Sequence, residues 1–319
     1  MRNKVLAILR TSVGYVSGES ISRELGISRA AVWKHIKALT EEGYAIEGVS
    51  RKGYRLMAQG GLRQFEIEPY LKTKWLGREL LYLPETASTN NIAKNEAEKG
   101  AVHGLIVLAD RQNAGKGRLG RTWVTETDEG ICLSVLLRPP LLPSHASLLT
   151  LATAVAVAKA FADIGVVSGI KWPNDLLVCG KKLCGILTEM KSDMDRVEWV
   201  VVGIGINVMQ KYFPTAIADV ATSLYLAGAH DINRSQVAAC VLNRLEDEYE
   251  RLFNEGFAPI HKDWLQYSVT IGRQVKVNTL LGTLEGKAVN MDDEGYLLIE
   301  KADGETEKIV SGDVILPKE

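Results

Sequence analysis

The sequence predicts an α/β multidomain protein. Its three segments differ in hydrophobic periodicity and span residues 1–58, 62–269 and 270–319. The first segment shows short helical patterns in quick succession and then a basic hairpin, and the second mixes buried-strand runs with long helical patterns. The third consists of short alternating runs separated by glycine and aspartate turns. A chain of 319 residues, 46% hydrophobic and 24% charged, has the size and composition of a soluble protein with two or three domains.

The first segment predicts a winged helix-turn-helix. Ser20 is expected to cap a short second helix, Gly26 supplies the tight turn that follows, and Ser28 caps a third helix. A hairpin with a basic tip then spans residues 44–56 and forms the wing. The apolar positions that define the three helical faces are Val5, Leu6, Leu9, Ile21, Leu25, Val32, Ile36 and Leu39.

Charge makes this segment the candidate DNA interface. Residues 1–57 carry ten Lys and Arg against five Asp and Glu, a balance of +5 that leaves −6 for the rest of a chain whose net charge is −1. In such a motif the start of the recognition helix enters the major groove and nearby cations bind phosphates. The predicted DNA-contacting residues are Ser28, Arg29, Ala30, Trp33, Lys34, Arg51 and Lys52. Two alternatives stay open: Trp33 packs against the wing instead, or the segment is a regulatory flap that binds no DNA.

The second segment predicts a mixed sheet with helices, and the third predicts a small all-β barrel. The expected central strands are Gly104–Ala109, Gly130–Leu137, Leu176–Val178, Gly185–Met190 and Glu198–Val208, and the expected helices are Ser147–Ile164 and Arg234–Asn254. The expected barrel runs are Val275–Val277, Gly282–Val289, Tyr296–Glu300 and Glu307–Val310. Residues 58–61, Ala-Gln-Gly-Gly, form a plausible linker between the first two segments.

Composition argues against a secreted, a metal-bound and a membrane protein. The four cysteines show no C-x-x-C pair and no histidine at ligand spacing, which indicates small buried hydrophobes in a reducing compartment. The most apolar stretch, Leu148–Ala162, contains Lys159 and is expected to be too short to cross a bilayer. Arg2, Lys4 and Arg10 interrupt any signal-peptide core, so a cytoplasmic location without a membrane partner is expected.

The string Gly-Lys-Gly-Arg-Leu-Gly-Arg-Thr-Trp at residues 115–123 is a candidate anion-binding loop. It contains G-x-G-x-x-G, but it leads into a polar connection and a strand rather than a helix, and it lacks the G-K-[ST] ending of a P-loop. What remains is a flexible loop bearing Lys116, Arg118 and Arg121. Its glycines let the backbone approach an anion, and guanidinium groups bind phosphate or carboxylate. A solvated basic turn is the alternative.

Two further strings place polar groups beside predicted strands. Asn174 and Asp175 end a Lys-Trp-Pro-Asn-Asp run, and their oxygens suit Mg²⁺, a ribose or an amine. Lys182 precedes a strand and can direct its ammonium group to a carboxylate. Residues 203–207, Gly-Ile-Gly-Ile-Asn, end a buried strand, where the glycines indicate close approach of backbone or ligand. Each string alone is also compatible with a purely structural role.

Together the strings resemble those of biotin–protein ligases. Ser88-Thr89-Asn90, Gln112, the glycine loop, Lys-Trp-Pro-Asn-Asp, Lys-Leu-x-Gly-Ile and Gly-x-Gly-x-Asn stand in that family's order and spacing. The resemblance covers essentially the whole chain, because a winged helix precedes the core as in the biotin operon repressor. It implies a ligase core related to class II aminoacyl-tRNA synthetases and a C-terminal SH3-like barrel.

The resemblance also implies an activity. ATP would activate biotin to biotinyl-5′-AMP, and biotin would pass to a lysine of a biotin carboxyl carrier protein. The adenylate would then act as corepressor and favour a homodimer that binds operator DNA.

Residue roles follow from the same resemblance. The implied biotin-binding residues are Ser88, Thr89, Asn90, Gln112, Gly115, Lys116, Gly117, Arg118, Lys182 and Gly185, and the implied ATP-binding residues are Arg121, Trp123, Asn174 and Asn207. The implied catalytic residues are Arg118, Lys182 and Asp175, with Asp175 either orienting or deprotonating the acceptor amine or serving as a candidate Mg²⁺ ligand. Two positions depart from the family pattern: Lys116 stands where many members carry Arg, and Ala87 where an acidic residue often precedes Ser-Thr-Asn.

The chemistry joins a carboxylate to a phosphate, so stabilisation of the added charge is the main task, and Arg118, Lys182 and Mg²⁺ are assigned to it. Two other functions are weighed. A ligand sensor without catalysis predicts the loss of Arg118 or Lys182, and both are present. A lipoate or octanoate ligase shares the core, but such enzymes do not usually carry a winged helix and have a different glycine loop. Residues 208–224 are expected to order over adenine.

Overall fold

The computed structural model describes residues 1–12, 14–41, 43–56, 61–280 and 282–317. The chain divides into two compact units, Met1–Gly60 and Gly61–Glu319. Most of the predicted linker, residues 58–60, lies outside the described residues.

The first unit is a winged helix-turn-helix, as predicted. Its elements are α1 (Arg2–Thr11), α2 (Gly18–Leu25), α3 (Arg29–Glu41), β1 (Ile46–Val49) and β2 (Gly53–Leu56). Val5, Ile21 and Val32 are fully buried and form the centre of its core. Leu6, Leu9, Ile36 and Leu39 are buried as well, so the expected apolar faces are confirmed except at Leu25, which is only half-buried.

The two predicted helix caps fare differently. Ser28 caps α3, since its hydroxyl accepts the backbone N–H of Ala31 at 3.1 Å. Ser20 does not cap α2, because that helix begins at Gly18 and its cap is Ser17, whose hydroxyl accepts the N–H of Ser20. The prediction was wrong by three residues because Ser20 directly precedes the apolar Ile21 and so resembles a cap, whereas it occupies the third helical position.

The second unit is built on a mixed sheet. Its strands are β3 (Leu80–Thr86), β4 (Ile106–Gln112), β5 (Gly130–Leu137), β6 (Gly169–Lys171), β7 (Asp175–Val178), β8 (Lys181–Ser192) and β9 (Val197–Asn207). The sheet order is β3-β4-β5-β9-β8-β7-β6, in which β3 and β4 are parallel and the other neighbours antiparallel. Its helices are α4 (Gln64–Ile67), α5 (Thr89–Glu98), α6 (Ser147–Asp163), α7 (Arg234–Glu255) and α8 (Ala258–Tyr267).

Strand alternation divides the sheet into two faces with different coverings. On one face, Leu108, Leu133 and Ile204 join the main core together with apolar residues of α6 and α7. On the other face, Val107 and Val201 pack with Ala93 and Ala97 of the shorter α5 in a smaller cluster. Because α5 covers only part of its face, the remainder of that face is available for a ligand.

A second sheet of β10 (Gln274–Thr279), β11 (Gly282–Met291), β12 (Leu297–Glu300), β13 (Thr306–Ile309) and β14 (Asp313–Ile315) forms the predicted SH3-like barrel, in the antiparallel order β13-β12-β11-β10-β14. It packs on the core of the same unit. The Trp172 indole N–H donates to the carbonyl of Gly295 at 3.1 Å, and His261 Nε2 lies 2.8 Å from the carbonyl of Met291. These contacts bring the barrel next to the Lys-Trp-Pro-Asn-Asp string.

Helix α6 corrects one expectation about length. With the turn before it, residues Pro143–Asp163 form 21 residues that are long and apolar enough to cross a membrane, whereas the sequence interpretation considered the stretch too short. However, 72% of the most apolar part is buried inside the protein. The charged end of Lys159 is held against the two neighbouring helices, since it forms ion pairs with Glu248 of α7 and Asp263 of α8. The helix therefore has the environment of a core helix.

Candidate functional site

The candidate site lies on the α5 face of the sheet, beyond the helix N-terminus. Strand alternation places Cys132 and Ser134 of β5 and Gly203 and Gly205 of β9 on this face, and these small residues leave a depression. The cavity has a volume of about 110 Å³. Its described lining includes the following residues named from sequence: Ser88, Thr89, Asn90, Gln112, Lys116, Gly117, Arg118, Arg121, Trp123, Asn174, Asp175, Lys182 and Gly185.

The glycines of β8 and β9 accommodate a tryptophan. A Cβ added to Gly205 would lie 2.4 Å from the Trp123 ring, and one added to Gly185 would lie 3.2 Å from it. Gly205 is thus required because the aromatic side chain lies directly on its strand, and a side chain at position 185 would crowd the same ring. The indole Nε1 of Trp123 is buried and has no hydrogen-bond partner among the described residues.

Ser88, Thr89 and Gln112 form a polar corner where β4 ends and α5 begins. The Gln112 side-chain oxygen accepts the backbone N–H of Thr89 at 2.7 Å and lies 3.0 Å from the Thr89 hydroxyl. Ser88 and Thr89 are each only 3% exposed. A cavity wall of buried polar side chains, in which Thr89 and Gln112 are bonded to each other, is the arrangement that recognises a small polar ring.

The glycine loop closes on itself as a hairpin. The N–H of Gly117 donates to the Arg121 carbonyl at 2.7 Å, and the N–H of Trp123 donates to the Gly115 carbonyl at 2.9 Å. Gly115 lies outside the cavity lining, and a Cβ there would lie 2.5 Å from the Trp123 carbonyl. This segment is therefore not the flexible loop that its glycines predict, because the glycine pattern carries no signal for the closing hydrogen bonds.

The two arginines of this loop contact the barrel. Arg118 donates to Asn174 Oδ1 and the Gly312 carbonyl, both at 3.3 Å, and to the Ser311 hydroxyl at 3.2 Å. Arg121 forms an ion pair with Asp313. Burial lowers the pKa of Arg118, an effect that the nearby carboxylates partly offset. The loop cations therefore face oxygen atoms in positions where a phosphate would compete for them.

Asp175 is paired with two lysines. Its Oδ1 lies 2.6 Å from Lys182 Nζ and its Oδ2 lies 3.4 Å from Lys171 Nζ. Lys182 Nζ also lies 5.7 Å from the centre of the Trp123 ring. No group of three or more His, Cys, Asp or Glu side chains that could hold a metal ion is found in the described part of the chain. The described residues thus do not fit a metal site built by the protein, since both carboxylates of the cavity are already paired with cations, Asp175 with two lysines and Asp313 with Arg121.

Asn207 lies at the end of β9 but outside the cavity lining. Its side-chain amide donates to the Thr222 carbonyl at 2.9 Å and so fixes residues 208–224. The same segment is bonded to β8, where the N–H of Lys182 donates to the Val220 carbonyl at 2.7 Å. Asn174 contributes to the cavity and also donates to the Ile186 carbonyl at 2.7 Å.

The structure adds lining residues that the sequence interpretation did not assign. They are Thr122, Cys132, Leu133, Ile186, Leu187, Gly203, Ile204, Gly205 and Asp313. Strand alternation in the predicted β5 contained a signal for Cys132, but no local signal brings Asp313 to this site. Burial raises the pKa of the Cys132 thiol to about 12, so this thiol is a neutral wall of the cavity.

Four of the seven predicted DNA-contacting residues lie together on one surface of the first unit. Arg29, Ala30 and Trp33 of α3 and Arg51 of the wing line a common groove. Trp33 is 57% exposed, so the alternative in which it packs into the wing does not describe this structure. Ser28, Lys34 and Lys52 are also exposed, although the Ser28 hydroxyl is engaged as the cap of α3.

Family models match three parts of the chain. The Biotin/lipoate A/B protein ligase family matches residues 82–207, an HTH domain matches residues 1–55, and the Biotin protein ligase C terminal domain matches residues 270–316.

Similar proteins extend these matches over nearly the whole length. The bifunctional ligase/repressor BirA of Bacillus subtilis is 44% identical over 95% of this chain and 94% of its own length. BirA of Escherichia coli is 29% identical over 98% and 96% of the two chains. Among solved structures, the biotin protein ligase from Aquifex aeolicus in complex with biotin and ATP is 31% identical, with a TM-score of 0.65 over 76% of this chain and 100% of that chain.

Proposed function

This chain belongs to the family of bifunctional biotin–protein ligases and repressors, and from that premise we propose how its residues carry out both activities. The protein is an ATP-dependent biotin–[acetyl-CoA-carboxylase] ligase that forms biotinyl-5′-AMP and transfers biotin to a lysine of a carrier protein. It also represses transcription through its helix-turn-helix, with biotinyl-AMP as corepressor. The observation that carries the assignment is the single cavity that gathers the Ser88–Gln112 corner, the glycine loop, Trp123 and Lys182.

Biotin occupies the depression on the α5 face in this proposal. Its ureido ring meets the corner of Ser88, Thr89 and Gln112, and its carboxylate extends toward Lys182. Glycine at 185 and 205 seats the Trp123 ring beside the ligand, which excludes water from the reacting groups.

Charge stabilisation in the first half-reaction falls to Arg118 and Lys182. Attack of the biotin carboxylate on the α-phosphate of ATP expels pyrophosphate and brings two anions together, and preorganised cations stabilise the transition state more than the separated reactants. Arg121, Asn174 and the segment 208–224, fixed by Asn207, form the nucleotide side. Mg²⁺ would be held by the ATP phosphates rather than by the protein, because Asp175, paired with Lys171 and Lys182, does not build a metal site by itself.

Lys116 and Gly117 complete the loop over the adenylate. The hairpin bonds of residues 115–123 support a preformed cover that needs little reorganisation when the ligand binds. In the second half-reaction a neutral lysine amine attacks the acyl carbon of the mixed anhydride, which forms the amide, expels AMP and passes one amine proton to Asp175. Asp175 forms an ion pair with Lys182 and orients the lysine side chain. When the adenylate binds Lys182, the Asp175 carboxylate becomes free to bind the acceptor amine.

Repression in this proposal uses the groove between α3 and the wing. Arg29 reads a base edge, while Lys34, Arg51 and Lys52 bind phosphates. Biotinyl-AMP favours a homodimer that spans an inverted-repeat operator, which requires only that the ligand binds the dimer-competent state more tightly. Both activities then belong to the cytoplasm, where the carrier protein and the operator are accessible.

A ligand screen tests the assignment of the cavity. Thermal unfolding of the full chain is followed with biotin, with lipoate and with ATP, since a ligand that binds the folded state raises its stability by mass action. We expect biotin to raise the midpoint and lipoate to leave it unchanged. A larger rise with lipoate would assign the chain to lipoate chemistry instead.

A further inference from the structure

Lys182 faces the cavity although regular alternation along its strand would place it on the opposite face. Along β8, Gly185 and Leu187 line the cavity, whereas Cys184 is fully buried in the main core. Strict alternation would therefore place Leu183 at the cavity and Lys182 in the core. The structure has the reverse, since Lys182 lines the cavity and Leu183 is fully buried in the core.

A β-bulge at Leu183 causes this reversal. Cys184 stands opposite Leu176 of β7. The next pair joins Lys182 with Leu177, which leaves Leu183 as an extra residue on β8. A bulge of this kind bends its strand and redirects the neighbouring side chain. Leu183 and Cys184 thus both enter the core, and the charged Lys182 is turned toward the cavity.

The Lys182 side chain runs along its own strand. A Cβ added to Gly185 would lie 3.0 Å from Lys182 Cε and 3.1 Å from its Nζ, so the lysine passes directly over this glycine. Asp175 of β7 stands opposite Gly185 in the register, and its Oδ1 lies 2.6 Å from Lys182 Nζ. The position of the ammonium group therefore depends on where the backbone of Lys182 is held.

That backbone is held by a segment from outside the regular sheet, residues 220–222, which we call the clamp. β9 ends at Asn207 and does not extend beside Lys182. The clamp takes its place. The N–H of Lys182 donates to the Val220 carbonyl at 2.7 Å, and the N–H of Thr222 donates to the Lys182 carbonyl at 2.9 Å. Both backbone groups of the lysine are thus bonded to one short segment.

Asn207 fixes the clamp to the end of β9. Its side-chain Nδ2 donates to the Thr222 carbonyl at 2.9 Å, and its backbone carbonyl accepts the N–H of Leu224 at 3.1 Å. Asn207 and Thr222 are only 6% and 8% exposed, so the bond between their side chain and backbone is shielded from water. The Asn207 amide is therefore committed to the clamp.

We propose that Asn207 and the clamp are positioning residues for Lys182, so that Asn207 governs recognition of the substrate carboxylate and is not a ligand of the nucleotide. The inference rests on the proposed function, in which the Lys182 ammonium binds the biotin carboxylate. It replaces the ATP-binding role that the family resemblance implies for Asn207. It also means that residues 208–224 and the cation at the carboxylate share one hydrogen-bonded support.

Loss of the Asn207 amide should free one end of the clamp. The buried Thr222 carbonyl would lose its donor, which is unfavourable, and the segment that holds the Lys182 backbone could move away from β9. The ammonium group would then be less well placed for a carboxylate. The polar corner of Ser88, Thr89 and Gln112 is built by β4 and the start of α5, so binding of the ligand ring should be unchanged.

The test compares biotin with its alcohol analogue, in which a hydroxymethyl group replaces the carboxylate. Dissociation constants are measured by calorimetry without ATP for the full-length wild type, Asn207→Ala and Lys181→Ala. Lys181 is the matched control, because it is exposed and its ammonium donates to the Ala218 carbonyl next to the clamp at 3.3 Å. Omission of ATP separates the two roles of Asn207, since a nucleotide ligand has no partner under these conditions.

In the wild type we expect biotin to bind about tenfold or more tightly than the alcohol, because hydrogen bonds to charged groups are the stronger ones. In Asn207→Ala this ratio should fall about threefold or more through weaker biotin binding, and Lys181→Ala should keep the wild-type ratio. A wild-type ratio in Asn207→Ala would overturn the proposal. Equal weakening of both ligands would indicate a merely structural role, and a raised KM for ATP alone would indicate a nucleotide ligand.

Lys182→Ala supplies a second criterion. In this variant the ratio should already be low, and addition of Asn207→Ala should lower it no further, because a positioning residue acts through the residue that it positions. A further fall in the double variant, as large as the fall in the wild-type background, would overturn the proposal.

Asn207→Leu decides the question if Asn207→Ala does not fold. Leucine keeps the branched shape of asparagine and has no hydrogen to donate, so the same fall in the ratio is expected, and an unchanged ratio would overturn the proposal. Equal binding of biotin and the alcohol by the wild type would also overturn it, since Lys182 would then not recognise the carboxylate. Absence of biotin binding in the wild type would instead contradict the proposed function.

Discussion

Individual residues of the site show what a sequence pattern can and cannot identify. The glycines at 203 and 205 predicted close approach, and the structure gives each a particular neighbour, Asn90 and Trp123. The close approach could be predicted because glycine in the interior of a buried strand often marks a site where another group packs closely. The identity of each neighbour could not be predicted, because each contact joins positions more than 80 residues apart in the sequence. Asp313 and Ser311, which hold the loop arginines, had no local signal.

Arg118→Ala should release biotinyl-AMP from the site. Arg118 is the loop cation whose guanidinium reaches Asn174 and the barrel, and loss of a charge-assisted hydrogen bond of about 1.5–3 kcal/mol predicts roughly ten- to hundredfold faster release. The measurement is the fraction of radiolabelled adenylate retained after rapid gel filtration. Arg111→Ala is the control, since Arg111 pairs with Glu85 and Asp128 outside the cavity lining. Equal retention by the two variants would remove Arg118 from its assigned role.

Elements with strong periodicity were predicted well, and weakly patterned ones were not. β5 and α6 were expected within one residue of their observed bounds, because long apolar runs identify them. β3 and α5 were missed, since α5 is polar and buries mainly two alanines, Ala93 and Ala97, in its apolar cluster. Yet α5 carries Thr89 and Asn90 at its start. Short β14 was also missed, although it begins at Asp313.

Asp263→Asn tests how α6, α7 and α8 are held together. Asp263 lies 2.7 Å from Lys159 and 2.6 Å from Arg251, and the variant should lower the free energy of unfolding by about 1–3 kcal/mol at pH 7. Burial acts to raise the pKa of Asp263, but hydrogen bonds from Lys159 and Arg251 outweigh it and lower the pKa.

A lowered folded-state pKa means that this stabilisation is complete above the unfolded value of about 3.9 and is lost as pH falls through the folded value. Urea unfolding at a series of pH values should therefore show the two proteins converging in acid. Asp247→Asn is the control, since Asp247 is 66% exposed and 3.8 Å from Arg244. A difference that persists or grows in acid would contradict the ion-pair account.

At the scale of the whole molecule, the predicted order of winged helix, ligase core and SH3-like barrel is confirmed. The boundaries 1–58, 62–269 and 270–319 stay predictions, and the compact units divide the chain at Gly60–Gly61. Composition and motif order were sufficient for this level because each segment has its own periodicity. They did not predict that the barrel reaches the glycine loop through residues 311–313.

Removal of residues 1–60 should separate the two activities. The second unit has its own core and contains the cavity, so residues 61–319 should fold and retain biotin-dependent adenylate formation. Specific operator binding should be lost, because the basic groove of α3 and the wing is gone. Electrophoretic mobility shift and activity assays on the shortened and full chains check both parts. A shortened chain that still binds operator DNA would place the DNA interface elsewhere.

ATP–pyrophosphate exchange tests the central claim most directly. The full chain is assayed with Mg²⁺ and ATP in the presence of biotin, of lipoate and of neither acid. The account predicts exchange that depends on biotin and is abolished or strongly reduced in Lys182→Ala. Exchange with lipoate but not biotin would contradict the substrate assignment, and folded protein that shows no exchange with either acid would contradict catalysis itself.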